Sequence, residues 1–311
     1  MRLKTVGTKI VSFWGKGGTG KTTIAAATAL GLEEAGYDVF VFSSDPAPTL
    51  CLALGVGSCL DKRARIGRIE ALELSEETVL RLWKERFGGE VYEVISAFLP
   101  VGREIIDYVA GAPGISDQFL MYYVYEIWKS GGYDYIVWDT PAAGGSLRML
   151  RIEYELYQHM TEAAKLYLRV KGALEKLRRR ASTKTPDKLI EEWKELAKTI
   201  LDMLASEEHM LHITTTADIL GLAVTKKLYN EFSMHNIRVR RVIANMVLGE
   251  KRGCLESFEE LAEEQKIVLS ELERLFGETV CRIPLLEWRP RGKEALLKLW
   301  SLLEKNKCVL F

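Results

Sequence analysis

The chain carries no surplus of either charge: 43 lysines and arginines face 43 aspartates and glutamates over 311 residues. The global positive field that draws nucleic acid or an anionic membrane is therefore missing, and no nucleic-acid partner is expected. Cysteine is scarce as well. Cys51, Cys59, Cys254, Cys281 and Cys308 are odd in number and never stand as a CxxC pair, which points to buried thiols in a reducing compartment. No apolar run approaches the roughly 18 to 20 residues that a membrane helix needs. A strand-like run and then a glycine-rich loop follow Met1 almost at once, leaving no room for a cleavable signal peptide. Together these absences point to a soluble, cytoplasmic chain, long enough to bury a sizeable core without disulfides.

What is present is an alternation of apolar segments with helical stretches, the pattern of an α/β protein with a mostly parallel sheet and helices on both faces. Strands are expected at Lys9 to Trp14, Val39 to Ser43, Arg68 to Leu74, Tyr135 to Trp138, His209 to Thr214, Val239 to Ala244 and Thr279 to Ile283. Two long intervals, about 75–130 and 148–207, contain no convincing strand and read as helical insertions into one domain spanning 1–311. In the second, Leu156, Met160, Ala163, Tyr167, Val170, Leu174 and Leu177 recur at helical spacing. Arg178 to Arg180 and the segment ending at Pro186-Asp187 break that helix, and Leu189, Trp193, Leu196, Ile200 and Leu204 mark another.

After the first strand comes Gly15-Lys16-Gly17-Gly18-Thr19-Gly20-Lys21-Thr22-Thr23, which satisfies G-x-x-x-x-G-K-[ST] and runs into an alanine-rich helix. Glycines let backbone amides wrap phosphate oxygens, Lys21 suits the β- and γ-phosphates, and Thr22 suits Mg²⁺. The same stretch reads as GxGxxG at Gly15, Gly17 and Gly20, with Asp38 and Asp45 as ribose-binding acids. Lys21-Thr22-Thr23 separates the two readings, because a dinucleotide loop gains nothing from a lysine there. Two acids then follow strands: Asp45 in Ser43-Ser44-Asp45-Pro46-Ala47-Pro48, and Asp139 in Trp138-Asp139-Thr140-Pro141-Ala142-Ala143-Gly144-Gly145. Asp139 suits a Mg²⁺ ligand acting through water, and Asp45 suits orientation of the attacking water.

On these motifs the chain resembles the deviant-Walker, MinD-like ATPases, whose loop reads K-G-G-x-G-K-T-T. The resemblance implies that Lys16 contacts phosphate on a facing protomer, and hence a homodimer. The two acid-bearing segments narrow it to the arsenical-pump ATPases and the guided-entry ATPases that target tail-anchored proteins. Pro48 and Gly145 stand where that family has histidines, and Pro141-Ala142-Ala143 replaces A-P-T. By the same resemblance Asn245 contacts adenine, Pro284 and Leu285 pass over the nucleotide, and Asp218 is a further contact. The function so implied is a Mg²⁺-dependent ATP hydrolase that closes as a dimer to hold a hydrophobic transmembrane helix or other protein cargo. The alternatives are a membrane-associated positioning ATPase and a metallocentre-maturation ATPase.

Some relatives clamp zinc between protomers with paired cysteines after the asparagine strand. Only Cys254 falls there, so no zinc is expected. Cys308-Val309-Leu310-Phe311 fits a prenylation box, but a terminal helix, Lys293 to Leu303, docking on the sheet is the preferred reading. Contact with a membrane is expected to be indirect at most.

Overall fold

The computed structural model describes residues 7–45, 47, 49–97, 99–177, 186–248 and 256–309, with 146, 163–177 and 256–258 described by backbone alone. The chain divides into two compact units, one of residues 1–74, 127–147 and 205–311, the other of 75–126 and 148–204.

The first unit is built on an eight-stranded sheet. Its strands are β1 (Lys9–Trp14), β2 (Val39–Ser43), β3 (Ala64–Ile66), β4 (Ile69–Glu73), β5 (Tyr135–Asp139), β6 (His209–Thr216), β7 (Val239–Val247) and β8 (Val280–Pro284). They lie in the order β3-β4-β2-β5-β1-β6-β7-β8, and only the β3–β4 pairing is antiparallel. Strand β3 is absent from the sequence reading, because a three-residue edge strand leaves too short a pattern to register. The other seven strands fall where the apolar runs put them.

Alternation along each strand divides the core. Val11, Phe13, Val41 and Val137 join the cluster under α1 (Lys21–Glu34) and α10 (Lys293–Lys305), while Trp14 meets Phe232 of α8 (Ile219–Met234) with ring centroids 5.0 Å apart. α1 has no polar face: Ile24 through Leu32 are all buried, because α10 covers the side that the sheet does not. Trp300 of α10 lies where a side chain on Gly31 of α1 would be. The terminal helix therefore docks as the apolar side of Lys293–Lys305 requires.

The cysteines depart from the expectation of unpaired thiols. Cys51 is joined to Cys59 and Cys281 to Cys308, with Cα atoms 6.0 and 5.4 Å apart. Local spacing gave no sign of this, since Cys281 sits in β8 and Cys308 reaches it only after α10 turns the chain back. A bonded, buried Cys308 offers no thiol to an isoprenoid. Such bonds do not fix the compartment, because cytosolic proteins of hyperthermophiles carry them too. Closing the span of 27 residues from Cys281 to Cys308 is worth roughly 3 to 4 kcal/mol by chain entropy. Reduction, or Cys308→Ser, is expected to lower the Tm by roughly 5 to 10 °C in scanning calorimetry. An unchanged Tm would mean that the cross-link contributes nothing.

The second unit is helical. It takes in α3 (Glu76–Ser96), α4 (Ile105–Ala110), most of α5 (Ile115–Ser130), most of α6 (Ala143–Leu177) and α7 (Pro186–Ala205). Ser75 caps α3 by accepting from the Thr78 amide at 3.2 Å, with Glu76 and Glu77 in the first turn, where the helix dipole favours acids. Of the expected break from Arg178 to Asp187, residues 178–185 lie outside the described residues, while Pro186 and Asp187 open α7, where a proline fits the first helical turn.

Candidate active site

Strand β1 lies between β5 and β6, so the chain builds the sheet outward in one direction and then in the other. At such a switch point the loops leaving neighbouring strands part, opening a crevice at the carboxyl edge. The glycine-rich loop leaves β1 there. Gly15 and Gly20 have φ of 156° and 95°. A Cβ on Gly15 would strike the Thr214 carbonyl, and one on Gly20 would sit 2.5 Å from Asn245 Nδ2. Glycine is thus required at Gly15 by the close approach of the β6 backbone and at Gly20 by its left-handed φ. Within the loop, Lys21 Nζ donates to the carbonyls of Gly15 at 3.2 Å and Lys16 at 3.3 Å, and Thr19 Oγ1 donates to Lys16 O at 2.9 Å. Burial lowers the Lys21 pKa, while Asp139 and Asp45 oppose that shift.

Asp139 ends β5 wholly buried. Its Oδ2 accepts from Thr22 Oγ1 at 2.7 Å and from Ser43 Oγ at 2.8 Å. Its Oδ1 is buried without a partner among the described residues. Burial pushes its carboxyl up to about 6, against the hydrogen bonds from Thr22 and Ser43 and the charge of Lys21. A buried acceptor left unpaired costs roughly 1 to 3 kcal/mol, and a metal-bound water donating to it would remove that cost. The donor set therefore fits Mg²⁺ held by Thr22 directly and by Asp139 through water.

The remaining candidates ring this pair. Asp45 follows β2 with Oδ1 accepting from the Ala47 amide at 2.9 Å, an Asx turn that fixes the carboxylate at the mouth. Lys16 directs Nζ to Asp218 Oδ1 at 3.6 Å, both side chains being over a third exposed. Asp218 in turn caps α8 by accepting from Gly221 N at 2.7 Å and is bonded by Thr216 Oγ1. Burial works to raise the Asp218 pKa, but the hydrogen bonds from Thr216 and Gly221 and the charge of Lys16 lower it overall. Asn245 braces the loop: its Nδ2 donates to Thr19 O at 2.9 Å and its Oδ1 accepts from Met246 N at 2.9 Å. These bonds leave Asn245 one N–H and one lone pair for a base contact. Pro284 and Leu285 close β8, where Leu285 N donates to Val247 O at 2.8 Å. Gly145 falls in the first turn of α6, where an added Cβ would lie 3.1 Å from Pro141. Pro48 and Cys254 lie outside the described residues.

A protein-family model described as anion-transporting ATPase matches residues 8–305. The chain belongs to that family and is an ATPase. The putative arsenical pump-driving ATPase 1 of Aquifex aeolicus (strain VF5) is 30% identical over 311 residues, covering 95% of this chain and 78% of that protein. ATPase GET3 of Paracoccidioides lutzii (strain ATCC MYA-826 / Pb01) is 27% identical over 305 residues, covering 93% of this chain and 88% of that protein. The putative arsenical pump-driving ATPase 2 of the same Aquifex strain is 29% identical over 278 residues. The arsenical-pump and guided-entry resemblance drawn from the motifs thus holds.

Two residues of this ATPase's site escaped the sequence reading. Ser43 is the in-register neighbour of Asp139 across β2 and β5, which is why its hydroxyl meets that carboxylate. Only the strand order reveals the pairing. Glu73 ends β4 and is buried, and its Oε1 accepts from the Leu50 amide at 2.6 Å, capping α2 (Leu50–Leu54) just after the Asp45 turn. Burial raises its pKa against the backbone hydrogen bonds from Leu50 and Cys51. Cys51, Cys59 and Glu73 place ligand atoms within 4.8 Å of one another. With the sulfurs bonded to each other, neither is a thiolate, and one carboxylate does not hold a metal.

Proposed function

We propose that this ATPase is a cytoplasmic homodimer that ATP closes, and that its helical unit holds a hydrophobic helix until hydrolysis releases it. The observation that carries the reading is the Lys16–Asp218 pair. A second loop lysine, held at the rim by a solvent-screened ion pair, is poised to exchange that partner for a stronger one. An exposed pair of this kind is worth about 1 kcal/mol or less. A nucleotide phosphate on a facing chain carries more charge in a drier place and wins the lysine. Ile219 and Leu220 stand beside Asp218 at 65% and 66% exposure, apolar surface that a second copy would cover.

In this reading Gly15, Gly17, Gly18, Thr19, Gly20, Lys21, Thr22 and Thr23 cradle the phosphates, Lys21 and Lys16 neutralise them from within and across the dimer, and Asp45 orients water. Mg²⁺, when bound with the nucleotide, supplies charge neutralisation at the β- and γ-oxygens. Ser43 and Thr22 keep Asp139 aimed at its place. Helix α6 begins four residues after Asp139 and runs on to Leu177, so a shift of the Asp139 loop has a covalent path into the helical unit. The name of one relative, putative arsenical pump-driving ATPase 1, supports an ATPase that drives a partner, and that of ATPase GET3 supports the ATPase alone. No zinc belongs to this reading.

Light scattering in the absence of nucleotide, with ADP, and with a non-hydrolysable ATP analogue tests it. The expected result is a doubling of mass with the analogue alone, with retention of an apolar tail-anchor peptide. A mass indifferent to nucleotide would overturn the dimer, and a dimer that ignores the peptide would overturn the cargo.

A further inference from the structure

The helical unit contains a cavity of about 240 Å³ that the ATPase reaction does not use. Five aromatic side chains line it, Trp83, Phe87, Phe119, Tyr122 and Trp193, together with one carboxylic acid, Glu153 of α6. Glu153 is 0% exposed, and neither of its carboxylate oxygens has a hydrogen-bond partner among the described residues. Gln118 also lines the cavity, while the other polar groups nearby are committed elsewhere. Trp193 Nε1 donates to Glu90 at 2.6 Å, Arg86 donates to Tyr122 Oη and to Glu90 at 2.9 Å each, and Arg148 donates to Asp117 at 2.6 Å.

A fully buried acid with no partner is costly, and a leucine or methionine would fill the same volume at no such cost. Burial alone pushes the Glu153 carboxyl up to about 8, so at neutral pH it holds its proton. The cost is recovered when something that needs an acid enters the cavity. The Arg86 guanidinium already stands over Phe87 and Tyr122, 4.5 and 5.6 Å from the ring centroids. The faces of Trp83, Phe119 and Trp193 carry negative potential that attracts ammonium groups, and a carboxylate beside them completes an amine-binding set. An anionic ligand would meet the rings and the acid unfavourably, and a purely apolar one would leave Glu153 as it is.

We infer that the helical unit is a binding site for a small apolar molecule bearing one amine, with the amine against Glu153 and the apolar body among the rings. A dry cavity of about 150 Å³ takes benzene, so this one accommodates about ten non-hydrogen atoms. Binding is balanced by one proton: the ligand enters as R–NH₃⁺, the Glu153 carboxyl gives up its proton to solvent, and an ammonium–carboxylate pair remains. The inference is independent of the dimer and of any helical cargo.

The probe is 4-phenylbutylamine, with 4-phenylbutan-1-ol as its neutral counterpart, followed by calorimetry and by the fluorescence of Trp83 and Trp193. The amine is expected to bind at least about tenfold more tightly than the alcohol, a difference of about 1.4 kcal/mol. Glu153→Gln should abolish that difference and leave alcohol binding unchanged. The glutamine variant is expected to fold. An acid whose pKa is raised on folding binds more protons folded than unfolded above its ordinary range, so native stability falls as pH rises toward 8, and the neutral amide avoids that loss. Independently of any variant, calorimetry in buffers of different ionisation heat should show about one proton released per amine bound at pH 7. Equal affinity for amine and alcohol, an unchanged amine affinity in Glu153→Gln, no proton release, or no binding of either probe at millimolar concentration would each overturn the inference.

Discussion

Lys16→Ala is expected to abolish ATP-linked dimerisation and to cut turnover by about a thousandfold or more, while each chain still binds nucleotide. The magnitude is that of a cation supplied in trans to a phosphoryl transfer. The separation of effects follows from the geometry. What Lys16 gives its own loop is its backbone carbonyl, which accepts from Lys21 and Thr19, and alanine keeps that carbonyl. What alanine removes is an ammonium at the rim, paired with Asp218 at 3.6 Å. Lys21 already occupies the inside of the loop, so in the proposed dimer the lost charge is the one offered to the facing nucleotide. Nucleotide affinity by a fluorescent analogue, mass by light scattering and steady-state turnover check the three parts. Unchanged dimerisation and turnover would return Lys16 to the role of a surface lysine capping Asp218.

The site was legible where chemistry demands a contiguous run. The nine residues from Gly15 to Thr23 need one strand before them and one helix after, and both are local properties of the chain. The acids Asp45 and Asp139 were legible for a related reason: Asp139 ends β5 and Asp45 lies two residues past β2, and strand ends are where a parallel sheet exposes its loops. What depended on pairing across the sheet was not. Ser43 meets Asp139 because β2 and β5 are neighbours in register, and Asn245 reaches Thr19 O because β7 carries it to the loop. The cysteine bonds were not legible either, for reasons of local closure and helix docking. The link from Cys51 to Cys59 closes over the short helix α2 and the turn after it, and the link from Cys281 to Cys308 closes over the docking of α10.

The fold obeys the same division. Seven strands and both helical intervals follow from periodicity, because each is long enough for period 2 or 3.6 to repeat. β3 does not follow, since its three residues are held by a hairpin to β4 rather than by an apolar face. Glu153 was invisible for a different reason. Glu153 stands three and seven residues before Leu156 and Met160, on the same face of α6, so the wheel puts an acid on the apolar stripe, but nothing in the pattern says that α3, α5 and α7 carry the side chains that line a cavity around it.

Asp45→Asn is expected to leave ATP binding within about twofold and to slow hydrolysis by about a hundredfold to ten-thousandfold, the range for losing a positioned base. Asparagine keeps a side-chain oxygen that can accept from the Ala47 amide, so the turn after β2 survives. It loses the carboxylate charge, which is what draws a proton from attacking water. Because binding persists and release depends on hydrolysis, the variant should accumulate as a closed dimer with ATP, visible as doubled mass in light scattering without any non-hydrolysable analogue. The result also separates two ways in which the Lys16 and Asp45 segments could act. A variant that hydrolyses slowly but still dimerises places Asp45 after closure, whereas one that hydrolyses slowly and stays monomeric places it in the closure itself. Turnover at the wild-type rate would remove Asp45 from the chemistry and leave the Asp139 cluster to orient the water.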